Sequence, residues 1–187
     1  MNQIELTPNI PRMGYILCVK APKKKDIFAR GIISQQLKRG LSEEASQYVH
    51  VEVLGGGYNS VRVAPPTTQI IDDFTKFYKG RYIKILKVAN NQDYEDRLRY
   101  KIAFWAASHC NLKYDWFGIA HFIFGKLITG SKVKMFCSEN TLWAIHKELP
   151  LISLDVKNNK PEECMPAHFI QSQLDNKELS LVWEGLL

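Results

Sequence analysis

The chain has 187 residues, a formal net charge of +6, 45% hydrophobic residues and 24% charged ones. That balance excludes a disordered or fibrous chain, and the length suits one domain, 1–187, with a proper core. The positive charge would suit an anionic partner, but the basic residues are scattered, and the densest run, KAPKKKD at 20–26, reads as a solvated loop. Four cysteines, at 18, 110, 137 and 164, show no metal-ligand spacing in a chain too large to need staples. Unpaired thiols in a reducing compartment are therefore expected. The stretch MNQIELTPNIPRMGYILCVK has no basic segment followed by an apolar one, so no signal peptide is expected, and a cytoplasmic location is.

In chain order, GYILCVK (14–20) reads as a buried strand, followed by a basic turn. A helix is expected around 26–39, with Phe28, Ile32, Ile33 and Leu37 on or near one face. QYVHVEVL (47–54) alternates Tyr48, His50, Glu52 and Leu54 against Val49, Val51 and Val53, the period of a strand. Three glycines (55–57) allow a reversal into NSVRVA (59–64), so the pair reads as a hairpin that Pro65-Pro66 stops. Thr67 or Thr68 then predicts a helix cap, with Ile70, Ile71, Phe74, Phe77 and Tyr78 as apolar positions and Gly80 as the stop. RYIKILKV (81–88) returns to strand. A long helix over about 91–110 carries Leu98, Ile102, Trp105, Ala106 and Cys110 on one stripe, which makes Cys110 a core thiol. Helices are expected at 115–128 and 136–149, the first (WFGIAHFIFGKLI at 116–128, with His121 and Lys126) too short to span a bilayer. A polar linker (155–164), a short helix after Pro166 and a final strand at 179–183 complete one α+β domain.

KMFCSENTLWAIHK (134–147) carries the chemical signal. Residues 131–136 look extended, and the spacing Leu142, Ile145, Leu149 is helical, which puts Cys137 in the first turn of a helix. There the free N–H groups and the helix dipole favour a thiolate, the nucleophilic form, although a free cysteine is also a good small core residue. A thiol nucleophile needs a base, and histidine is the usual one. Of the five histidines, His146 is too far along the same helix, and His109 and Cys110 are consecutive and point to different faces. His121 and His168 fall in other helices, which leaves His50, on a strand, as the residue able to face a helix N-terminus.

The order of these pieces resembles the circularly permuted NlpC-type papain-like cysteine hydrolases, the YiiX-like group, related to the lecithin retinol acyltransferase family. The resemblance is carried by Gly14, Ile16 and Leu17 in the first strand, His50-Val51 opening the next, Tyr114-Asp115 before a helix, Ser138-Glu139 after the cysteine, and Pro166. It spans about residues 12–170 and puts the histidine before the cysteine, as the permuted group does. It implies a papain-like antiparallel sheet packed against helices, with Cys137 as nucleophile and His50 as base. It implies attack on an amide, peptide, ester or thioester carbonyl through an acyl-enzyme, with peptide, peptidoglycan or lipid-like substrates and neither cofactor nor metal. The chain departs from the family at Glu52, where a small residue is usual, and at NSVRVA, where the ring-orienting residue usually stands. Glu52 is the expected orienting residue, with Asn59 or Ser60 as alternatives, and Glu139 is placed to bond helix amides. Two rival expectations are a retired papain-like domain in an assembly and a basic nucleic-acid binder, the latter without a recognised motif. The sequence is silent on oligomeric state.

Overall fold

Alternating valines and isoleucines in the first half of the chain build most of a sheet, and three helices from the second half pack against one of its faces. The computed structural model describes residues 13–22, 27–88, 95–115, 134–152, 154–156 and 160–187. Its elements are β1 (Ile16–Lys20), α1 (Ile27–Lys38), α2 (Glu43–Ser46), β2 (Tyr48–Gly56), β3 (Asn59–Ala64), β4 (Thr67–Ile71) and α3 (Phe74–Phe77). They continue with β5 (Tyr82–Val88), α4 (Glu95–Ala107), β6 (Lys113–Tyr114), β7 (Lys134–Met135), α5 (Cys137–His146), α6 (Pro166–Leu174) and β8 (Leu179–Leu186). Among the described residues the strands form one sheet in the order β7-β6-β4-β3-β2-β1-β5-β8. Every neighbouring pair is antiparallel except β6 with β7, which is parallel.

The period of two separates the two faces of this sheet. Ile16 and Cys18 of β1 join Val51, Val53, Val61, Val63, Leu86 and Val88 on the face covered by α4, α5 and α6. Leu17 and Val19 point the other way, to Leu54, Phe74, Tyr78, Ile83, Ile85 and Trp183. Leu142 and Ile145 of α5 and Phe169 and Ile170 of α6 are fully buried against the first face. Each such side chain contributes about 1.5–3 kcal/mol by leaving water.

Three expectations are corrected. Residues 67–71 form a strand, not the first turns of a helix. The Pro65-Pro66 turn reverses the chain so that Thr67 pairs with Ala64 and Ile71 with Ser60, and four of the five residues are β-branched. The helix starts only at Phe74, capped by Asp73, whose Oδ1 accepts from the N–H groups of Thr75 (3.0 Å) and Lys76 (3.2 Å). In α1 the buried residues are Ala29, Ile33 and Gln36, while Phe28 and Leu37 are exposed. The face turned inward is chosen by Gln36, whose Nε2 donates to Ser46 O (2.9 Å) and Tyr48 O (3.1 Å) and whose Oε1 accepts from Ala167 N (2.9 Å). The short helix α2 was not expected, since its four residues make little more than one turn and leave no apolar repeat to read. The expected helix at 115–128, apart from its first residue, and residues 23–26, with three of the lysines of the basic run, lie outside the described residues.

Candidate active site

β2 holds the upstream half of the site. Its ladder with β1 pairs Glu52 with Leu17 and His50 with Val19, then shifts so that Lys20 pairs with Tyr48. Val49 is the extra residue of that bulge. His50 and Glu52, two apart, stay on one face, and His50 Nε2 lies 3.0 Å from Glu52 Oε1. Glu52 is 1% exposed. Its Oε2 accepts from Ser60 Oγ of β3 at 2.5 Å, its Oε1 accepts from the Tyr78 hydroxyl just past α3, and Arg62 Nε stands 3.6 Å away. Burial alone would push this carboxyl up, but the bonds from His50, Ser60 and Tyr78 outweigh it and hold it below the usual range. Burial and the neighbouring Glu52 charge push the Tyr78 phenol up, so it remains a donor.

The other half arrives through a gap in the sheet. Leu54 N–H donates to Tyr15 O, so Val53 and Val51 direct theirs away from β1, toward β3. The β2–β3 ladder, however, ends at Val53 with Val61, and β3 continues paired to β4 alone. α5 packs against both parted strands. Phe136, extended at φ −114° and ψ 170°, caps the helix, and Cys137 is its first residue. The backbone N–H groups of Val51 and Ser138 and the ring of His50 face the Cys137 sulfur and lower its pKa. Since Nε2 of His50 faces Glu52, Nδ1 is the ring nitrogen left for the sulfur.

This setting moves both pKa values. Burial pushes the Cys137 thiol up, yet the His50 charge, its hydrogen bond and the two amide donors prevail and bring it below the ordinary value of 9.0. Burial would lower His50, but Cys137 and Glu52 together raise it to about 9. A thiolate beside an imidazolium is the form this arrangement favours. Burial pushes Cys18, Cys110 and Cys164 the other way, upward. All four cysteines are unpaired.

Asn59 is exposed at the β2–β3 turn, and Ser60 bonds Glu52, so of the three residues considered for the ring it is Glu52 that touches His50. Glu139 accepts from Phe136 N–H at 3.4 Å, as a helix-capping carboxylate does, and burial, with Asp115 and Glu162 nearby, pushes it up to about 7. Among the other described histidines, His109 bonds Asn140 Oδ1 (2.7 Å) and His146 Nε2 donates to Ile152 O (2.6 Å). His168 Nδ1 accepts from Met165 N–H (2.9 Å), and burial lowers it to about 4. Tyr114 borders the site, and Asp115 beside it is buried. Sequence reasoning missed Tyr78 as a member of the site. It belongs to no motif and reaches Glu52 only through the turn that follows α3.

A cavity of about 40 Å³ opens beside the sulfur, bordered by Ile32, Val49, Phe136, Met165 and Pro166 together with the site's own residues and Cys164. Ser138 Oγ donates to Cys164 O (2.7 Å) and so ties α5 to the segment leading into α6. Among the described residues no group of three or more His, Cys, Asp or Glu could hold a metal ion, and no helix is long and apolar enough to cross a membrane. No protein-family model matches the chain, and no curated protein matches it.

Proposed function

We propose that this protein is a cysteine hydrolase or acyltransferase with a permuted papain-like arrangement. The observation that carries the reading is Cys137, the one described cysteine whose pKa is depressed, set beside a histidine that is itself bonded to a buried carboxylate. Thiolate attack on a carbonyl carbon forms the carbon–sulfur bond, and the N–H groups around the sulfur offer donors to the oxyanion. His50, as imidazolium, gives its proton to the leaving group, whose bond to the carbonyl carbon breaks. The acyl group then passes to water or another acceptor, whose proton returns to His50. Glu52 orients the ring and sustains its charge.

The test is alkylation of the native chain by iodoacetamide, mapped by mass spectrometry against pH. Cys137 is expected to react at least about tenfold faster than the other three at neutral pH, because a one-unit pKa difference changes the thiolate fraction tenfold below both values. Its rate should level off below pH 9, while that of Cys110 continues to climb. Equal rates at all four cysteines would overturn the reading.

A further inference from the structure

The cavity beside Cys137 speaks to the substrate. Its walls come from five places: Ile32 on α1, Val49 at the β2 bulge, Tyr114 on β6, Phe136 before α5, and Met165 with Pro166 at the start of α6. Phe136 is 4% exposed and Met165 2%, so these walls are set into the protein. Ile32 is held there because Gln36, one turn further along α1, is clamped to Ser46, Tyr48 and Ala167. Apart from His50, the described residues of the wall carry no charged side chain, and burial keeps the Cys164 thiol neutral.

Resting on the reading above, we propose that this cavity is the acyl subsite and that it takes a short, uncharged acyl group of about four carbons. The acyl group stays on the sulfur through both halves of the reaction, whereas the leaving group must reach solvent. A recess at the sulfur with walls mostly of buried residues therefore suits the acyl side. A volume of about 40 Å³ is room for about three water-sized groups, each needing roughly 10–15 Å³. The three carbons beyond the carbonyl of a butyryl group fill it. An octanoyl chain overruns it, and an acyl group ending in a carboxylate or ammonium places its charge against Ile32, Met165 and Pro166, away from His50, the one charged group among the described residues of the wall.

The reaction balances as a hydrolysis. The carbonyl–oxygen bond of an ester breaks as the carbon–sulfur bond forms, the alcohol leaves with a proton from His50, and water releases the carboxylic acid and restores the thiolate. The probes are the p-nitrophenyl esters of butyric acid, octanoic acid and succinic acid (the monoester), followed by nitrophenolate release and by the mass of the acylated chain. The butyryl ester should acylate Cys137 at least about tenfold faster than either other ester, the discrimination an apolar pocket gives for misfit groups. Ile32→Ala, at a half-buried position, should narrow the gap between butyryl and octanoyl.

A second measurement reads the cavity without turnover: protection of Cys137 from iodoacetamide by butyramide, compared with succinamate, its charged counterpart. Protection by butyramide alone supports the subsite, and does so even if no ester acylates Cys137, a result that would remove the enzyme and leave the cavity. Octanoyl or succinyl transfer as fast as butyryl would overturn the proposal. So would protection by succinamate equal to that by butyramide, or no protection by either in a chain that no ester acylates.

Discussion

Glu52 keeps a negative charge at 1% exposure because His50, Ser60 and Tyr78 all bond to its two oxygens. A buried carboxylate without such donors would take up a proton. Its charge in turn favours a protonated His50, and that charge favours the Cys137 thiolate. Glu52→Gln keeps the shape but removes the charge, and an amide NH₂ cannot accept from the hydroxyls or the imidazolium. The expected result is a fall of at least about tenfold in the alkylation rate of Cys137 at pH 7, since one unit of thiol pKa is tenfold in thiolate. Turnover of any substrate should fall further, by roughly 10²–10⁴-fold, as when a triad carboxylate is neutralised. Asn59→Ala, at an exposed turn residue, should leave the alkylation rate unchanged. Equal rates in Glu52→Gln and the parent chain would remove Glu52 from the site.

At the scale of elements, the site depends on how strands and helices are brought close. Gly14 leads into β1 at φ +80°, where a side chain is strained, and a Cβ there would lie 2.1 Å from the Arg99 carbonyl oxygen of α4. The glycine therefore lets α4 lie directly on the start of β1, and Gly14 N–H donates to Leu54 O of β2 at 2.7 Å. Gly57, at the β2–β3 turn, has φ +55° but nothing within 4 Å of a built Cβ. Gly14→Ala should cost about 2–4 kcal/mol, combining backbone strain with overpacking. Gly57→Ala should cost about 1 kcal/mol, from conformation alone. Urea unfolding midpoints with unchanged slopes check both, and equal losses would mean that the α4 contact is unimportant.

Across the whole molecule, the site leaves a mark on stability against pH. His50, raised to about 9 from 6.5, contributes stability that is complete below 6.5 and lost as pH rises through 9. Cys137, lowered from 9.0, contributes stability that is complete above 9.0 and lost as pH falls through its depressed folded value. Where the two windows overlap, the folded chain carries a thiolate and an imidazolium, and the unfolded chain a thiol and a neutral imidazole. The proton count is the same, so the slopes cancel. Glu139, raised to about 7, is still titrating at pH 7 and so adds a falling slope there, while His168, lowered to about 4, adds a small rising one until its unfolded value of 6.5 is well passed. With the thiolate formed, the Cys137–His50 pair itself is therefore expected to add no net slope to the unfolding free energy between pH 7 and 8.5. If Cys137 remained a neutral thiol beside a charged His50, the pair would lower it by about 1.4 kcal/mol per pH unit. Denaturant titrations at the two pH values decide between them.

Local rules act over a few residues, and what they govern was legible in the sequence. The alternation around 47–54 put His50 and Glu52 on one strand face, and the change from extended to helical spacing at 136–138 put Cys137 at a helix start. The α+β character and most of the elements followed from the same periodicities. Other features were set by partners distant in sequence. Strand pairing across Pro65-Pro66 made β4 a strand where spacing alone suggested a helix, and the buried amide of Gln36 turned α1 away from its apolar face. The parting of β2 from β3, which admits Cys137 to Val51 and His50, is a matter of register and carries no local signal. The same holds for Tyr78 on Glu52 and for the cavity walls gathered from α1, β2, β6, α5 and α6. Periodicity says which way a side chain points from its own element. Only packing of the elements decides what it meets.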